Sequence, residues 1–234
     1  MNKFIACIAL GALFSGAAQA HYLWIEPDEA GARLYFGEAE VQLKEKSPGK
    51  LDSIKGLQAF AVDASGKRSA APVGRGGNHF AIGAATAGTW LASEESLEVR
   101  DLSKHKLGIA KPNYYARFGQ PAADAATALA LDVQAAGPDT FIVLYRGQPL
   151  KAAKLEVIAP NIWMQEHTTD ANGAARINAP WRGRYVLHVL HVDHTPGEHG
   201  GRQYDNLRSH FAYTFDKADG ADPGPAVPPQ HPTE

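Results

Sequence analysis

The residues of this 234-residue sequence with the most chemistry to offer are its ten histidines. Five of them, His188, His191, His194, His199 and His210, crowd towards the C-terminal end. A sixth, His21, directly follows Ala18-Gln19-Ala20, a small-x-small pattern of the kind cut by signal peptidase. Imidazole is the commonest protein ligand for zinc, copper and nickel, so transition-metal binding is the first chemistry to weigh. Cleavage after Ala20 makes His21 the new amino terminus. Its free α-amine and its Nδ1 can then close one chelate ring on a metal. That geometry suits tetragonal Cu(II) or Ni(II), which favour nitrogen ligands.

Spacing selects among the late histidines. Arg184 to His194 reads as one long strand, and side chains alternate along a strand. His191 and Asp193 then share a face about 6.6 Å apart and can serve one ion. His188 falls on the other face beside Leu190 and Val192, where it reads as a core histidine. His194 can join through the bend at Thr195-Pro196-Gly197, and His199 sits on the Gly197–Gly201 loop, which can fold back. The expected metal set is therefore His21, His191, Asp193, His194 and His199, around a divalent nickel, cobalt or copper ion. Intrinsic affinity makes Cu(II) the tightest binder of the three. The spacing leaves open whether His188, His210 or the Met164/His167 pair takes part. His79, His105 and His231 stand alone and read as surface residues.

Other chemistry is thin. No glycine motif opens a nucleotide-binding helix, and there is no Gly-x-Ser-x-Gly elbow. The carboxylates at Asp52, Asp63, Glu94, Glu95 and Glu98 show no pairing, and no catalytic residue emerges. A net charge of −2 is no footprint for nucleic acid.

The elements that position these groups read as strands. Glycine (23) and proline (15) make a turn-rich chain, while 44% hydrophobic residues suffice for a core. Met1–Ala20 has the basic start, eleven-residue apolar run and cleavage site of a signal peptide, too short to span a bilayer. It contains the single cysteine, Cys7, so the processed chain has no disulfide and a net charge of −3. The expected location is the periplasm, with full secretion as the alternative, and no transmembrane segment is expected after cleavage.

Strand patterns fall at 22–27, 33–40, 57–63, 78–82, 89–92 and 127–133 in a first β unit, 21–137. The stretch 104–123, broken by Lys-Pro-Asn and Gln-Pro, reads as irregular. A second unit, 138–216, carries strands at 140–145, 154–158, 174–177, 184–193 and 210–215, with turns at the spacing of a β-sandwich. Trp163–His167 reads as a connecting segment. Residues 217–234, rich in Asp, Gly and Pro, read as a disordered tail. The fold class is all-β, two sandwich-like units.

The segments "RGQPLKAAKLEVIAP" and "TTDANGAARINAPWRGRYVLHV" resemble a transthyretin-like or carboxypeptidase-regulatory-like module, an Ig-like seven-strand sandwich. His21-Tyr-Leu-Trp-Ile-Glu-Pro27, together with Tyr204-Asp205, resembles the NikM-like group of periplasmic proteins associated with nickel and cobalt uptake. The resemblance spans about 21–216 and implies a periplasmic all-β protein associated with metal uptake; together with the histidines, the expectation is a metal-binding protein rather than an enzyme, with a membrane metal-uptake system as its candidate partner. Two other classes stay open. One is a copper oxidase of the lytic polysaccharide monooxygenase type, which also uses an N-terminal histidine. The other is a metal-free interaction module.

Overall fold

The computed structural model describes residues 21–84, 88–119 and 129–228. The leader expected over 1–20 and the last residues of the tail, 229–234, lie outside them. Among the described residues the regular structure is strand with three short 3-10 turns and no α-helix, as the all-β reading expects.

Six strands carry the argument. They are β1 (Tyr22–Asp28), β2 (Gly31–Glu38), β3 (Ile109–Phe118), β4 (Lys154–Ile158), β5 (Gly183–Asp193) and β6 (Asn206–Lys217). A nine-stranded central sheet runs in the order Met164–Thr168, β4, β5, β6, β3, Thr89–Glu94, Gln58–Val62, Arg68–Ala70, with Arg100–Asp101 pairing beside β3. β6 lies antiparallel to β5 and parallel to β3.

Two smaller sheets cover its two faces. One is the β1–β2 hairpin with Phe80–Ile82, Val73–Arg75 and Leu43–Lys44, and it packs Leu23, Leu34 and Phe36 on Trp90, Tyr114 and Ala116. The other contains Leu131–Gly137 and Thr140–Tyr145, and it packs Val133, Phe141 and Val143 on Leu187, Val189 and Phe211. Each face of the central sheet thus buries its alternate side chains, about 1.5–3 kcal/mol for each large apolar one.

The molecule is therefore two sandwiches sharing one middle sheet. The division expected between 137 and 138 falls inside the Leu131–Gly137/Thr140–Tyr145 hairpin, and the central sheet draws strands from both sides of it. Strand spacing along the sequence does not reveal that distant segments join one ladder.

Two further expectations change. The stretch read as irregular contains β3, at the heart of the sheet. Its Pro112 sits where β3 pairs with β6 alone, between the short ladders to Arg100–Asp101 and to Thr89–Glu94. A proline in a central strand is tolerated where no N–H is required. The tail expected to be disordered from 217 is docked in its first part. Ala221 N donates to Pro180 O (2.8 Å), Arg182 N donates to Ala221 O (2.9 Å), and the Arg182 guanidinium pairs with Asp222. Gly220, at φ +118°, allows the approach, since a Cβ there would lie 2.6 Å from Pro180 O. Composition flags such a segment as loop, but backbone pairing holds it.

Candidate metal centre

The β1–β2 register builds the site. Tyr22 pairs with Gly37, so one step further along the ladder His21 faces Glu38. Opposed side chains in an antiparallel pair meet. The Nδ1 of His21 lies 3.1 Å from Glu38 Oε1. The chain then turns through Ala39–Val41 and returns as Leu43–Lys44 along β2. Gly37 permits that return: its φ is +150°, and a Cβ on it would sit 2.0 Å from Leu43 O. Glu45 N donates to Phe36 O (2.8 Å), and the Glu45 side chain reaches His21 Nε2 with Oε1 at 2.5 Å. Lys50 Nζ donates to the same oxygen at 3.0 Å.

Both ring nitrogens therefore face a carboxylate, Nε2 that of Glu45 and Nδ1 that of Glu38, and Lys50 Nζ also lies 3.3 Å from Nε2. Glu38 is 1% exposed, and among the described residues its Oε1 has no hydrogen-bond partner, because the Nδ1 contact is not aligned as one. A ring nitrogen and a carboxylate oxygen thus face one another at 3.1 Å in a buried place. A cation between them, proton or metal, removes the penalty of an unpaired buried oxygen. Burial pushes the Glu38 carboxyl up, against the pull of His21. Burial pushes the same way at Glu45, but hydrogen bonds from His21 and Lys50 outweigh it and lower that carboxyl.

The residue after His21 is clamped. Tyr22 is 1% exposed, stacks on His188 (4.1 Å between centroids, 16° between planes), donates from its hydroxyl to Glu40 (2.6 Å) and accepts from Ala39 N (3.0 Å). His188 Nδ1 donates to Glu156 (2.8 Å), so its Nε2 accepts from His210 Nδ1 (3.2 Å). Burial drives the His210 pKa well below the ordinary histidine value, and Arg208 acts in the same direction, as do His188 and His21 when they carry a proton. Phe36 and Tyr114 complete a circuit of ring contacts from His21 back to His210. His188 and His210, left open by spacing, are thus buried partners that support β1.

The rest of the expected metal set is not brought to His21. His191 and Asp193 alternate to the opposite face of β5, under Tyr145 of the second sandwich, while β1 packs on the His188 face. Both Asp193 oxygens are engaged: Oδ1 accepts from Thr195 N (3.0 Å), and Oδ2 accepts from the Tyr145 hydroxyl (2.8 Å) and faces Arg146. Burial lowers the His191 pKa, with Arg146 and His194 acting in the same direction. His194 is exposed beyond the strand end. His199 belongs to a two-stranded hairpin, paired with Arg202, rather than to a loop folding back on His191. Alternation places side chains on faces; it does not say which sheet covers each face.

Trp163–His167 also differs from expectation. Met164–Thr168 is the outermost strand beside β4, with Met164 exposed. Among the described residues no three His, Asp or Glu side chains form a ready-made ion cage, so a metal at His21 must draw a donor from the main chain. Glu38 and Glu45 are the residues that type-counting overlooked. The signal for Glu38 was the hairpin register across the Asp28–Gly31 turn. No family model, curated protein or solved structure matches the chain.

Proposed function

We propose that this chain is an exported transition-metal-binding protein of the periplasm that assists uptake or delivery of nickel, cobalt or copper. In this reading the metal is cargo, held by the α-amine and Nδ1 of a processed His21 and by the Glu38 carboxylate. Glu45 fixes the ring from its far side, the outer-sphere carboxylate that metal-bound histidines usually carry. The observation that carries the reading is Glu38 Oε1, buried without a hydrogen-bond partner among the described residues and opposite Nδ1, the ring nitrogen that chelates together with an α-amine.

The clamp on Tyr22 supports it, since terminal residues ordinarily fray. The NikM-like opening motif points the same way, as does the leader pattern ahead of His21. Among the described residues no helix is long and apolar enough to cross a membrane, so a membrane uptake system enters here as a partner.

The test compares three tag-free proteins in competition titrations with Cu(II), Ni(II) and Co(II). They are the chain beginning at His21, the same chain with one alanine ahead of His21, and Glu38→Gln. The extra alanine blocks the chelate and leaves every side chain in place. It should weaken binding at least 100-fold, and Glu38→Gln about 10-fold, the low end for a lost metal-site group. Equal affinity of the first two proteins rejects the site. Absence of binding in all three leaves the protonated His21–glutamate cluster of a metal-free interaction module.

A further inference from the structure

We propose that the His21 centre discriminates by oxidation state: it holds copper as Cu(II) and releases it on one-electron reduction to Cu(I). This rests on the metal-binding reading above and adds the valence of the cargo and the event that frees it.

The donor set is the first argument. An amine nitrogen, an imidazole nitrogen and a carboxylate oxygen suit tetragonal Cu(II), whereas Cu(I) is selected by thiolate and thioether sulfur. Sulfur is almost absent from this chain. Cys7 and Met1 precede His21, so from His21 onward the single sulfur atom is that of Met164. Met164 lies on the outermost strand of the central sheet, 45% exposed. β4 and β5 separate that strand from β6. The His21 ring instead meets Phe36, Glu38 and Glu45.

Charge is the second argument. Glu38 is buried, and Glu40 and Glu45 act on it against the single lysine cation of Lys50, so the carboxylates outnumber that cation three to one. Coulomb attraction scales with the charge of the ion and is weakly screened in a buried site, so a dication gains about twice what a monocation gains. Rigidity is the third. β2 holds Glu38 in ladder register with β1, and the three contacts of Tyr22 keep β1 seated. The frame cannot reshape itself around an ion of different coordination preference.

The release step balances simply. An external one-electron reductant supplies one electron to Cu(II), giving Cu(I); the bonds from amine, imidazole and carboxylate to the ion break, and the freed amine takes a proton from water. No protein group is oxidised.

The experiment uses the tag-free chain beginning at His21. Cu(II) affinity is measured against a Cu(II) chelator in air, and Cu(I) affinity anaerobically against bicinchoninate with ascorbate as reductant. Cu(II) should bind at least 100-fold more tightly than Cu(I). At 59 mV per tenfold for a one-electron couple, this places the bound couple about 120 mV below the free ion. Ascorbate with bicinchoninate should therefore strip the copper, and Met164→Leu should change neither affinity. Equal or tighter Cu(I) binding overturns the proposal, as does loss of Cu(I) binding in Met164→Leu, which would reveal a thioether site. If Cu(II) binds equally with an alanine ahead of His21, the centre itself is wrong and both readings fall.

Discussion

Asp193 shows how a side chain with metal-ligand chemistry can belong wholly to the fold. Burial raises its carboxyl, but hydrogen bonds from Thr195 and Tyr145 and the charge of Arg146 overcome this and bring it down to about 2. A carboxylate with a depressed folded pKa adds stability above its unfolded value, and that stability disappears as pH falls through the folded value. Discounted for solvent screening, Asp193 should thus contribute about 1 kcal/mol at neutral pH, lost between about pH 4 and pH 2. Chemical denaturation of Asp193→Asn across this range should show a flatter acid limb than the parent, and an unchanged limb would refute the assignment. Gly37 makes the second residue-scale case. Gly37→Ala forces a Cβ against Leu43 O, so the Leu43–Lys44 strand must move and take Glu45 away from His21. The variant should lose about 1–3 kcal/mol and bind Cu(II) more weakly, read by denaturation and titration. His21 drew notice in the sequence because it follows a small-x-small pattern. Glu38 was legible only through hairpin register, and Glu45 depends on a turn that glycine alone permits.

Between elements, the buried pair of Arg117 and Asp132 links layers. Arg117 projects from β3 in the central sheet, and Asp132 belongs to Leu131–Gly137 in the covering sheet. The guanidinium donates to both carboxylate oxygens at 2.8–3.2 Å, with both side chains almost fully buried. Removing one partner strands a buried charge, which costs about 3–5 kcal/mol, whereas replacing both with apolar residues of similar volume is often far milder. Asp132→Ala should therefore destabilise by that amount, and Arg117→Met with Asp132→Leu should recover most of it in urea melts. Additive losses would refute the coupling between the two side chains. Most strands were legible from alternation and turn residues. β3 was not, because Pro112 reads as a break, and only the gap between its two short neighbours explains why the strand survives. The His191–Asp193 face was correctly placed on one side of β5, but the covering Tyr145 comes from a hairpin that periodicity cannot dock.

At the scale of the molecule, the docked segment after β6 has a measurable weight. Deleting 218–234 removes the two backbone hydrogen bonds at Ala221 and further uncovers the half-buried Trp181. At about 1 kcal/mol per hydrogen bond the loss is about 1–2 kcal/mol, which lowers Tm by roughly 2–8 °C in a chain of this size. An unchanged Tm would return the segment to the disordered tail that its composition suggested.

The position of β6 also governs when the chain can fold. The strand nearest the end of the chain lies between β5 and β3, so until it arrives the central sheet exists only as two fragments with open edges. Contacts of such long sequence separation form slowly and late. The two halves of the sheet can knit only after β6 itself has been made, well after β3. A chain ending at Asp205 should yield no cooperative melt, since neither fragment can close its ladder.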